Sequence, residues 1–309
     1  MGAFTQVAFT PLSESPFASS TPEQTLPFLP EVTLPQVPKI LPSKTPPLVV
    51  PPASPIVTQP PAPIISAPKR SDTDLYTHAL ARTVNLLCER NNNETTIATA
   101  FFVHESGILL TNGHVTENLK DKSCIVRQGA PATEIGKASL LFLPSAYTST
   151  STYEGRAPHD ISLWKYTPTE NASVKPPLPI FSLSENLPSR GVIVTTFSYP
   201  AELVAFSILL QSQYPLFSDA TISAHDHVSL ALTSSAGAQK GSSGGVVMDP
   251  VTGSAIGIIF GVSDVGPIGG RTLYALTTER INAIMLKETG LSFAEYIHQL
   301  ANNELIHGS

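Results

Sequence analysis

The feature that most constrains the fold is a series of short apolar segments, rich in β-branched residues and separated by turns. Such segments, recurring at intervals of roughly 8–15 residues, are typical of an all-β sandwich or barrel. No long helical period intervenes, which argues against a parallel sheet with crossover helices. The predicted strands cover residues 83–88, 95–103, 108–111, 124–127, 138–143, 161–166, 192–198, 203–210, 228–233, 245–248, 255–261 and 271–276.

Short helices are predicted at both ends of this series, over about 72–82, 281–287 and 293–300. Ser71, Thr278 and Ser292 stand where an N-cap hydroxyl accepts a hydrogen bond from a free backbone N–H group. Gly290 is predicted to end the second of these helices.

Proline divides the chain into unlike parts. Seventeen of the 29 prolines lie within the first 68 residues, where Gly2 is the only glycine. Such a segment buries too little apolar surface to offset the entropy lost on ordering. Residues 1–70 are therefore predicted to be a disordered, proline-rich tether, residues 71–290 the main folded domain, and residues 291–309 a C-terminal helix and tail.

Composition and charge limit the classes of partner. With 41% hydrophobic and 14% charged residues, the chain as a whole is not a disordered protein. The net charge is −6; residues 1–70 hold three acids and four bases, so the remainder carries −7. An acidic domain is not expected to bind nucleic acid. No run of 18 apolar residues occurs, so no transmembrane segment is expected.

The amino terminus bears on localisation. It has neither a basic region nor a long apolar segment, so it does not resemble a signal peptide, and a cytoplasmic protein is expected. A signal or anchor upstream of Met1 would instead make this a protein of the cell envelope or a secreted one. Proline-rich spacers suit that arrangement, because polyproline II is extended at ~3.1 Å per residue. The oligomeric state is left open.

The cysteines and histidines indicate neither a metal site nor a cofactor. Cys88 and Cys124 are the only cysteines, which excludes a disulfide-rich scaffold and a four-cysteine zinc site. Whether they form one bridge or none stays open at this point. His225 and His227 flank Asp226, but no third ligand follows, so no metal is predicted.

Three short segments carry candidate chemistry. Leu-Thr-Asn-Gly-His-Val ends a predicted strand with His114, His-Asp-Ile-Ser-Leu opens another with Asp160, and Gly-Ser-Ser-Gly-Gly forms a tight loop around Ser243. A serine hydroxyl needs a neighbouring base, and that base needs a carboxylate that fixes its tautomer. The oxyanion that develops needs two backbone N–H donors, which a glycine-rich loop presents without obstruction.

These segments, with the residues 99–103 and 107–115 that lead into the histidine, resemble the chymotrypsin-fold (trypsin-like) serine endopeptidases. The bacterial branch, the high-temperature-requirement type of envelope protease, looks most similar. The resemblance covers about residues 83–288. It implies an all-β fold of two six-stranded antiparallel β-barrels, divided near residues 168–190, with short terminal helices and the disordered proline-rich tail outside.

The resemblance also implies roles for individual residues. Ser243 is the nucleophile, His114 the general base and Asp160 the residue that orients His114. Backbone N–H groups of Gly241 and Ser243 form the oxyanion hole. The side chain of Ser242 is expected to point away from the site. Substrates are expected to be proteins or peptides.

Substrate preference depends on the pocket beside the nucleophile. In the family, the residue six positions before the nucleophile lies at its base; here this residue is Gly237. The opposite wall is expected to consist of Phe260, Gly261 and Val262. Without an acidic residue there, a preference for Arg or Lys is not expected, and small to medium apolar P1 side chains are favoured.

The chain departs from the family pattern in three respects. Trypsin-like zymogens have an acidic residue before the serine, where this chain has Ser242, so no amino-terminal zymogen switch is expected. The classical histidine is flanked by cysteines that bridge, whereas here Gly113 precedes His114 and Cys124 lies ten residues on. This scarcity of cysteine fits the bacterial branch, where packing rather than bridges holds the barrels. The chain ends about 20 residues after the predicted barrel, so the C-terminal peptide-binding domain of the envelope proteases is not expected.

Two alternative functions are also compatible with parts of the sequence. One is a catalytically degenerate protease fold that serves as a binding or scaffold module on its proline-rich tether. The other is an α/β-hydrolase esterase, because Gly-Ser-Ser-Gly-Gly also fits the Gly-x-Ser-x-Gly elbow. That fold needs an acid and a histidine after Ser243 and a helix after the loop, whereas a strand is predicted there.

Overall fold

The computed structural model describes residues 68–302, apart from 93, 203, 264–266 and 268–269. Residues 1–67 of the predicted tether and residues 303–309 lie outside the described residues. The strands of the described part are β1 Thr83–Glu89, β2 Thr95–His104, β3 Ile108–Thr111, β4 Ser123–Gly129, β5 Ala132–Phe142, β6 Ser162–Pro168, β7 Ile193–Ser198, β8 Leu216–His225, β9 Ser229–Thr233, β10 Val246–Met248, β11 Ala255–Val262 and β12 Leu273–Thr277. Its α-helices are α1 Asp72–Leu80, α2 Ser145–Ser149, α3 Tyr153–Arg156, α4 Phe206–Ser212, α5 Thr278–Thr289 and α6 Phe293–Ala301.

The first six strands close into an antiparallel barrel with the order β1-β2-β3-β6-β5-β4. Its interior is filled by large side chains, among them Phe102, Trp164 and Tyr166, each exposed by 1% or less. The Tyr166 hydroxyl donates to the carbonyls of Ile135 and Val174, so its polar end is also satisfied. The barrel is therefore a packed core that holds its strand ends rigidly.

The last six strands close into a second antiparallel barrel with the order β10-β11-β12-β9-β8-β7. Its interior is aliphatic and includes the fully buried Val194, Ile222, Leu232, Val247 and Ile259. The double six-stranded barrel that the resemblance implied is thus confirmed.

A shared apolar cluster joins the two barrels. It includes Phe101 and Leu110 from the first barrel and Phe197 and Ile258 from the second, all buried. Phe181, from the segment between β6 and β7, packs edge-on against Phe101 with ring centres 5.5 Å apart. This packing fixes the ends of β3 and of the loop before β10 at one junction, where the candidate site lies.

A disulfide bond links Cys88 on β1 to Cys124 on the neighbouring strand β4. Both cysteines are buried, with exposures of 0% and 3%. The expectation that packing alone holds the barrels is therefore wrong for the first barrel. The spacing of the two residues gave no indication of this, because only strand pairing brings them opposite each other.

One predicted strand is wrong. The sequence predicts a strand over 203–210, but Phe206–Ser212 forms the helix α4. A short apolar run has the same composition in a buried strand and in a helix, so composition does not distinguish the two. Here a contact from the first barrel supports the helix, because Arg127 donates hydrogen bonds to carbonyls in the last part of α4. The strand that completes the barrel is β8, whose polar stretch around Asp219 hides its alternation.

The terminal helices form with the expected caps, with one shift. The hydroxyls of Ser71 and Ser292 accept hydrogen bonds from backbone N–H groups in the first turns of α1 and α6. The Glu295 carboxylate in turn accepts the backbone N–H of Ser292. The cap of α5 is Thr277 rather than Thr278. No helix in the described ranges is both long and apolar enough to cross a membrane.

Candidate active site

The turn after β3 positions His114. Residues Gly113–Thr116 form a single 3₁₀ turn directly after the strand, and this turn carries the imidazole. Space beside Gly113 is narrow, because a Cβ there would lie 3.1 Å from the ring of Tyr147 and 3.2 Å from Oδ1 of Asp160. A residue without a side chain lets the carboxylate approach the turn.

Asp160 lies just before β6 and is only 2% exposed. Its Oδ1 accepts the backbone N–H of His114 at 2.8 Å, and its Oδ2 lies 2.7 Å from Nδ1 of the same residue. Asn112 donates its side-chain N–H to the Asp160 carbonyl at 2.9 Å and holds that backbone in place. Because a carboxylate only accepts, the proton of a neutral His114 lies on Nδ1, and Nε2 keeps its lone pair.

Two opposing effects act on the pKa of His114. Burial disfavours the charged ring and lowers the pKa, whereas the charge and hydrogen bond of Asp160 raise it. The net direction is upward from the ordinary value of 6.5. The side chain is still 29% exposed, so the ring remains accessible from one side.

The glycine-rich loop packs directly on the first barrel. The backbone N–H of Thr99 donates to the carbonyl of Ser243 at 2.8 Å. Gly244 has φ +82°, and a Cβ there would overlap the carbonyl oxygen of Thr99 and Oγ1 of Thr111. Since Thr111 lies three residues before His114, the serine loop and the histidine turn meet at the same junction.

The two serines of the loop have different surroundings. Ser242 is fully buried, and its hydroxyl donates to the carbonyl of Gly237 at 2.8 Å while accepting from Ser198 at 3.0 Å. It therefore points away from the junction, as expected. Ser243 is half-buried and lines a cavity.

Two backbone N–H groups of the loop are left open. Those of Ser242, Gly244 and Gly245 donate to backbone carbonyls at 3.3, 2.8 and 2.9 Å. Among the described residues, no acceptor contacts the N–H groups of Gly241 and Ser243. These are the two donors that the resemblance assigns to an oxyanion hole.

The described residues include no direct hydrogen bond between Ser243 and His114. Within the part of the chain that the structure describes, the side-chain partner of the imidazole is Asp160, and Ser243 Oγ makes no bond to Nε2. Such contacts are often long in enzymes without substrate and shorten in the reacting complex.

The predicted pocket residues divide between three places. A cavity of about 200 Å³ beside Ser243 is lined by Gly261 and Val262, together with Ile259 and the loop residues 239–241. Phe260 instead lines an adjoining cavity of about 270 Å³ that contains His114. Gly237 is buried and lines neither of these cavities.

Three residues of the adjoining cavity were not predicted from the sequence. Oε1 of Glu117 accepts hydrogen bonds from the Tyr147 hydroxyl and from Nη1 of Arg156, both at 2.6 Å. Glu117 follows His114 by three residues, so its proximity to the site could have been predicted from the local sequence. Arg156 and Tyr147 lie in the long connection between β5 and β6, where sequence spacing says nothing about proximity.

The His225–His227 segment has a local structural role. Asp226 accepts the backbone N–H groups of Val228 and Ser229, and Nδ1 of His227 lies 3.0 Å from Glu279. Across the ranges that the structure describes, no group of three His, Cys, Asp or Glu side chains is arranged to hold a metal ion.

Comparison with solved structures finds a similar fold in a serine endoprotease and in a collagenase. A serine endoprotease from Yersinia pestis superimposes with a TM-score of 0.50 at 20% identity, covering 71% of this chain and 66% of that one. HL collagenase gives 0.50 at 14% identity, with coverage of 74% and 100%. The Rv3671c protease of M. tuberculosis in its active form gives 0.49 at 15% identity, with coverage of 76% and 95%. This chain thus spans slightly less than two thirds of the Yersinia protease. No curated protein matches.

Comparison with protein families gives one further match. Residues 98–258 match the trypsin-like peptidase domain, and this range contains His114, Asp160 and Ser243. The matched range makes up more than half of the 309 residues. The chain belongs to the family of trypsin-like peptidase domains.

Proposed function

We propose that this chain is a serine endopeptidase in which Ser243 is the nucleophile, His114 the general acid and base, and Asp160 the orienting carboxylate. The observation that carries the proposal is the double contact of Asp160 with His114 at 2.8 and 2.7 Å, beside the loop that holds Ser243. That contact leaves Nε2 as the nitrogen able to take a proton.

The reaction follows from these positions. Ser243 Oγ attacks the scissile carbonyl carbon while its proton passes to Nε2 of His114. The N–H groups of Gly241 and Ser243, which have no acceptor among the described residues, stabilise the resulting oxyanion. The intermediate collapses as His114 protonates the leaving amine, which leaves an acyl group on Ser243. Water, deprotonated by His114, then attacks the ester carbonyl. As the bond to Ser243 Oγ breaks, His114 returns the proton to this oxygen and the carboxylic acid product is released.

The cavity beside Ser243 supports a P1 preference for small to medium apolar side chains. Ile259 and Val262 contribute apolar walls, and Gly261 leaves an open side. No acidic side chain is among the described residues that line it. We expect a peptide library to show Val, Ala or Leu at P1 ahead of Arg and Lys, with the modest discrimination of ~1–3 kcal/mol per methylene that apolar pockets give.

Labelling with a fluorophosphonate probe tests the proposed nucleophile. The wild-type chain is expected to react once, at Ser243, and Ser243→Ala is expected to lose the label. Ser189→Ala is the matched control, because Ser189 is an exposed serine in the segment that connects β6 to β7. This variant is expected to react as the wild type does. An unlabelled wild type would favour the non-catalytic binding module instead, and equal labelling of Ser243→Ala would overturn the assignment of Ser243 as the nucleophile.

A further inference from the structure

Two hydrogen bonds from one neighbouring segment hold the backbone of Lys240, one at the Lys240–Gly241 peptide and one at the peptide before it. The backbone N–H of Ala201 donates to the carbonyl of Lys240 at 2.8 Å, and the Glu202 carboxylate accepts the N–H of Lys240 at 3.0 Å. A trans peptide is planar, with its C=O and N–H pointing in opposite directions. Fixing the Lys240 carbonyl therefore fixes the direction of the Gly241 N–H.

Arg271 in turn fixes Glu202. Its Nη1 lies 2.8 Å from each carboxylate oxygen, and both side chains are mostly buried, with exposures of 16% and 20%. An ion pair shielded in this way is screened less by solvent than one on the open surface. Hydrogen bonds from Lys240 and Arg271 also hold the pKa of Glu202 below its ordinary value, which keeps the carboxylate charged.

The backbone at Gly241 leaves no room for a side chain. Gly241 has φ +90°, and a Cβ there would lie 2.7 Å from the Ala201 nitrogen and 2.8 Å from its Cβ. The segment that carries Glu202 is therefore in direct contact with the peptide that it fastens.

Ser242 carries no charge that could hold this loop through an ion pair, and its hydroxyl is occupied by Gly237 and Ser198. We propose that Glu202, held by Arg271, has this function: it is a positioning residue that, by holding Lys240, aims the Gly241 N–H at the oxyanion. The proposal rests on the proposed serine endopeptidase function.

One labelling scheme observes the proposed donor directly. Lys-Gly occurs only once in the sequence, at Lys240–Gly241. Protein carrying ¹³C at the lysine carbonyl and ¹⁵N on glycine therefore gives one carbonyl-correlated amide resonance, that of Gly241. Glu202→Gln is expected to shift or broaden this resonance. Glu89→Gln, which removes the exposed Glu89–Lys120 pair on the first barrel, is the matched control and is expected to leave it unchanged.

Kinetics on the same variants separate positioning from mere stability. Misaimed oxyanion donors lower kcat, and we expect Glu202→Gln to reduce it roughly 10- to 100-fold while KM changes little. Arg271→Gln is expected to act in the same direction. Should either variant not fold, as judged by its thermal unfolding, the other carries the test. A Gly241 resonance and a kcat equal to those of Glu89→Gln would overturn the proposal.

Failure of the Glu202 proposal can be distinguished from failure of the proposed endopeptidase function. A peptide boronate, which mimics the oxyanion when it bonds to Ser243, is expected to move the wild-type Gly241 resonance downfield. Absence of that effect, with no fluorophosphonate labelling, would count against the endopeptidase. The comparison of Glu202→Gln with Glu89→Gln in the free protein still decides whether Glu202 positions the peptide.

Discussion

Asp160 binds His114 at two points, through the backbone N–H at 2.8 Å and through Nδ1 at 2.7 Å. The first bond fixes the turn that carries the ring, and the second fixes the ring within the turn. One buried carboxylate therefore sets both the position and the tautomer of the proposed base.

Replacing this carboxylate isolates its role. Asp160→Asn keeps the size of the side chain, but its amide can present an N–H to Nδ1 and so favour the wrong tautomer. We expect kcat to fall by roughly 10⁴-fold, as such a change does in related triads. Steady-state kinetics on a peptide substrate measure it. Asp121→Asn, at an exposed aspartate, is the control, and a drop of less than tenfold at Asp160 would argue against the assigned role.

The pH dependence of activity is expected to follow His114. The base must be neutral, so kcat/KM is expected to rise through a midpoint above 6.5, because Asp160 outweighs burial and raises the pKa. Asp160→Asn is expected to move that midpoint down. A wild-type midpoint at or below 6.5 would contradict the raised pKa.

The contribution of His114 to the free energy of unfolding is expected to fall as the pH rises, whereas the activity rises. A folded-state pKa above the unfolded value means that protonation of His114 stabilises the fold. That contribution is fully present below the unfolded pKa, ordinarily near 6.5, and is lost as the pH rises through the folded pKa. Urea unfolding of the wild type and of His114→Ala, at several pH values across this window, measures the difference between them. A difference independent of pH would exclude the linkage.

Two glycines with similar backbone angles make a matched pair. Gly244 and Gly290 have φ +82° and +76°, but a Cβ overlaps Thr99 and Thr111 at the first and meets nothing within 4 Å at the second. Gly290→Ala is expected to cost only the backbone strain, about 1–2 kcal/mol. Gly244→Ala is expected to cost more and to displace Ser243, which abolishes fluorophosphonate labelling. Equal losses of unfolding free energy would show that the loop is not tightly packed against the first barrel.

The disulfide between Cys88 and Cys124 is expected to stabilise the first barrel without affecting chemistry. It closes a loop across a sequence separation of 36 residues. Replacing both cysteines by alanine is expected to lower the free energy of unfolding by about 2–4 kcal/mol. Guanidinium unfolding measures the loss, with kcat as the control. An unchanged unfolding midpoint would show that the bridge contributes little.

Much of the fold is predictable from sequence because strand alternation and turn residues are local signals. The helix α4 and the strand β8 are not predictable from such local signals. Their identity depends on Arg127, which holds the end of α4 from the other barrel, and on pairing of β8 with β7 and β9. The Cys88–Cys124 bridge is not predictable for the same reason, since only the pairing of β1 with β4 brings the two residues together.

The candidate site divides in the same way. His114, Asp160 and Ser243 are marked by local motifs, so the sequence predicts them as a set. Glu202 and Arg271 carry no motif, lie 69 positions apart and become neighbours only when the barrel closes. Phe260 illustrates a limit of position along a strand: the sequence predicts it in the wall of the pocket beside Ser243, whereas it lines the cavity that contains His114.

Mass spectrometry of the acyl-enzyme tests the central claim most directly. The wild-type chain is mixed with a p-nitrophenyl ester, quenched in acid within seconds and digested for peptide mapping. One acyl group is expected, on Ser243, and it is expected to be lost in His114→Ala, since the hydroxyl is then not activated. An acyl group on another residue, none at all, or equal acylation of Ser243 in His114→Ala would contradict it.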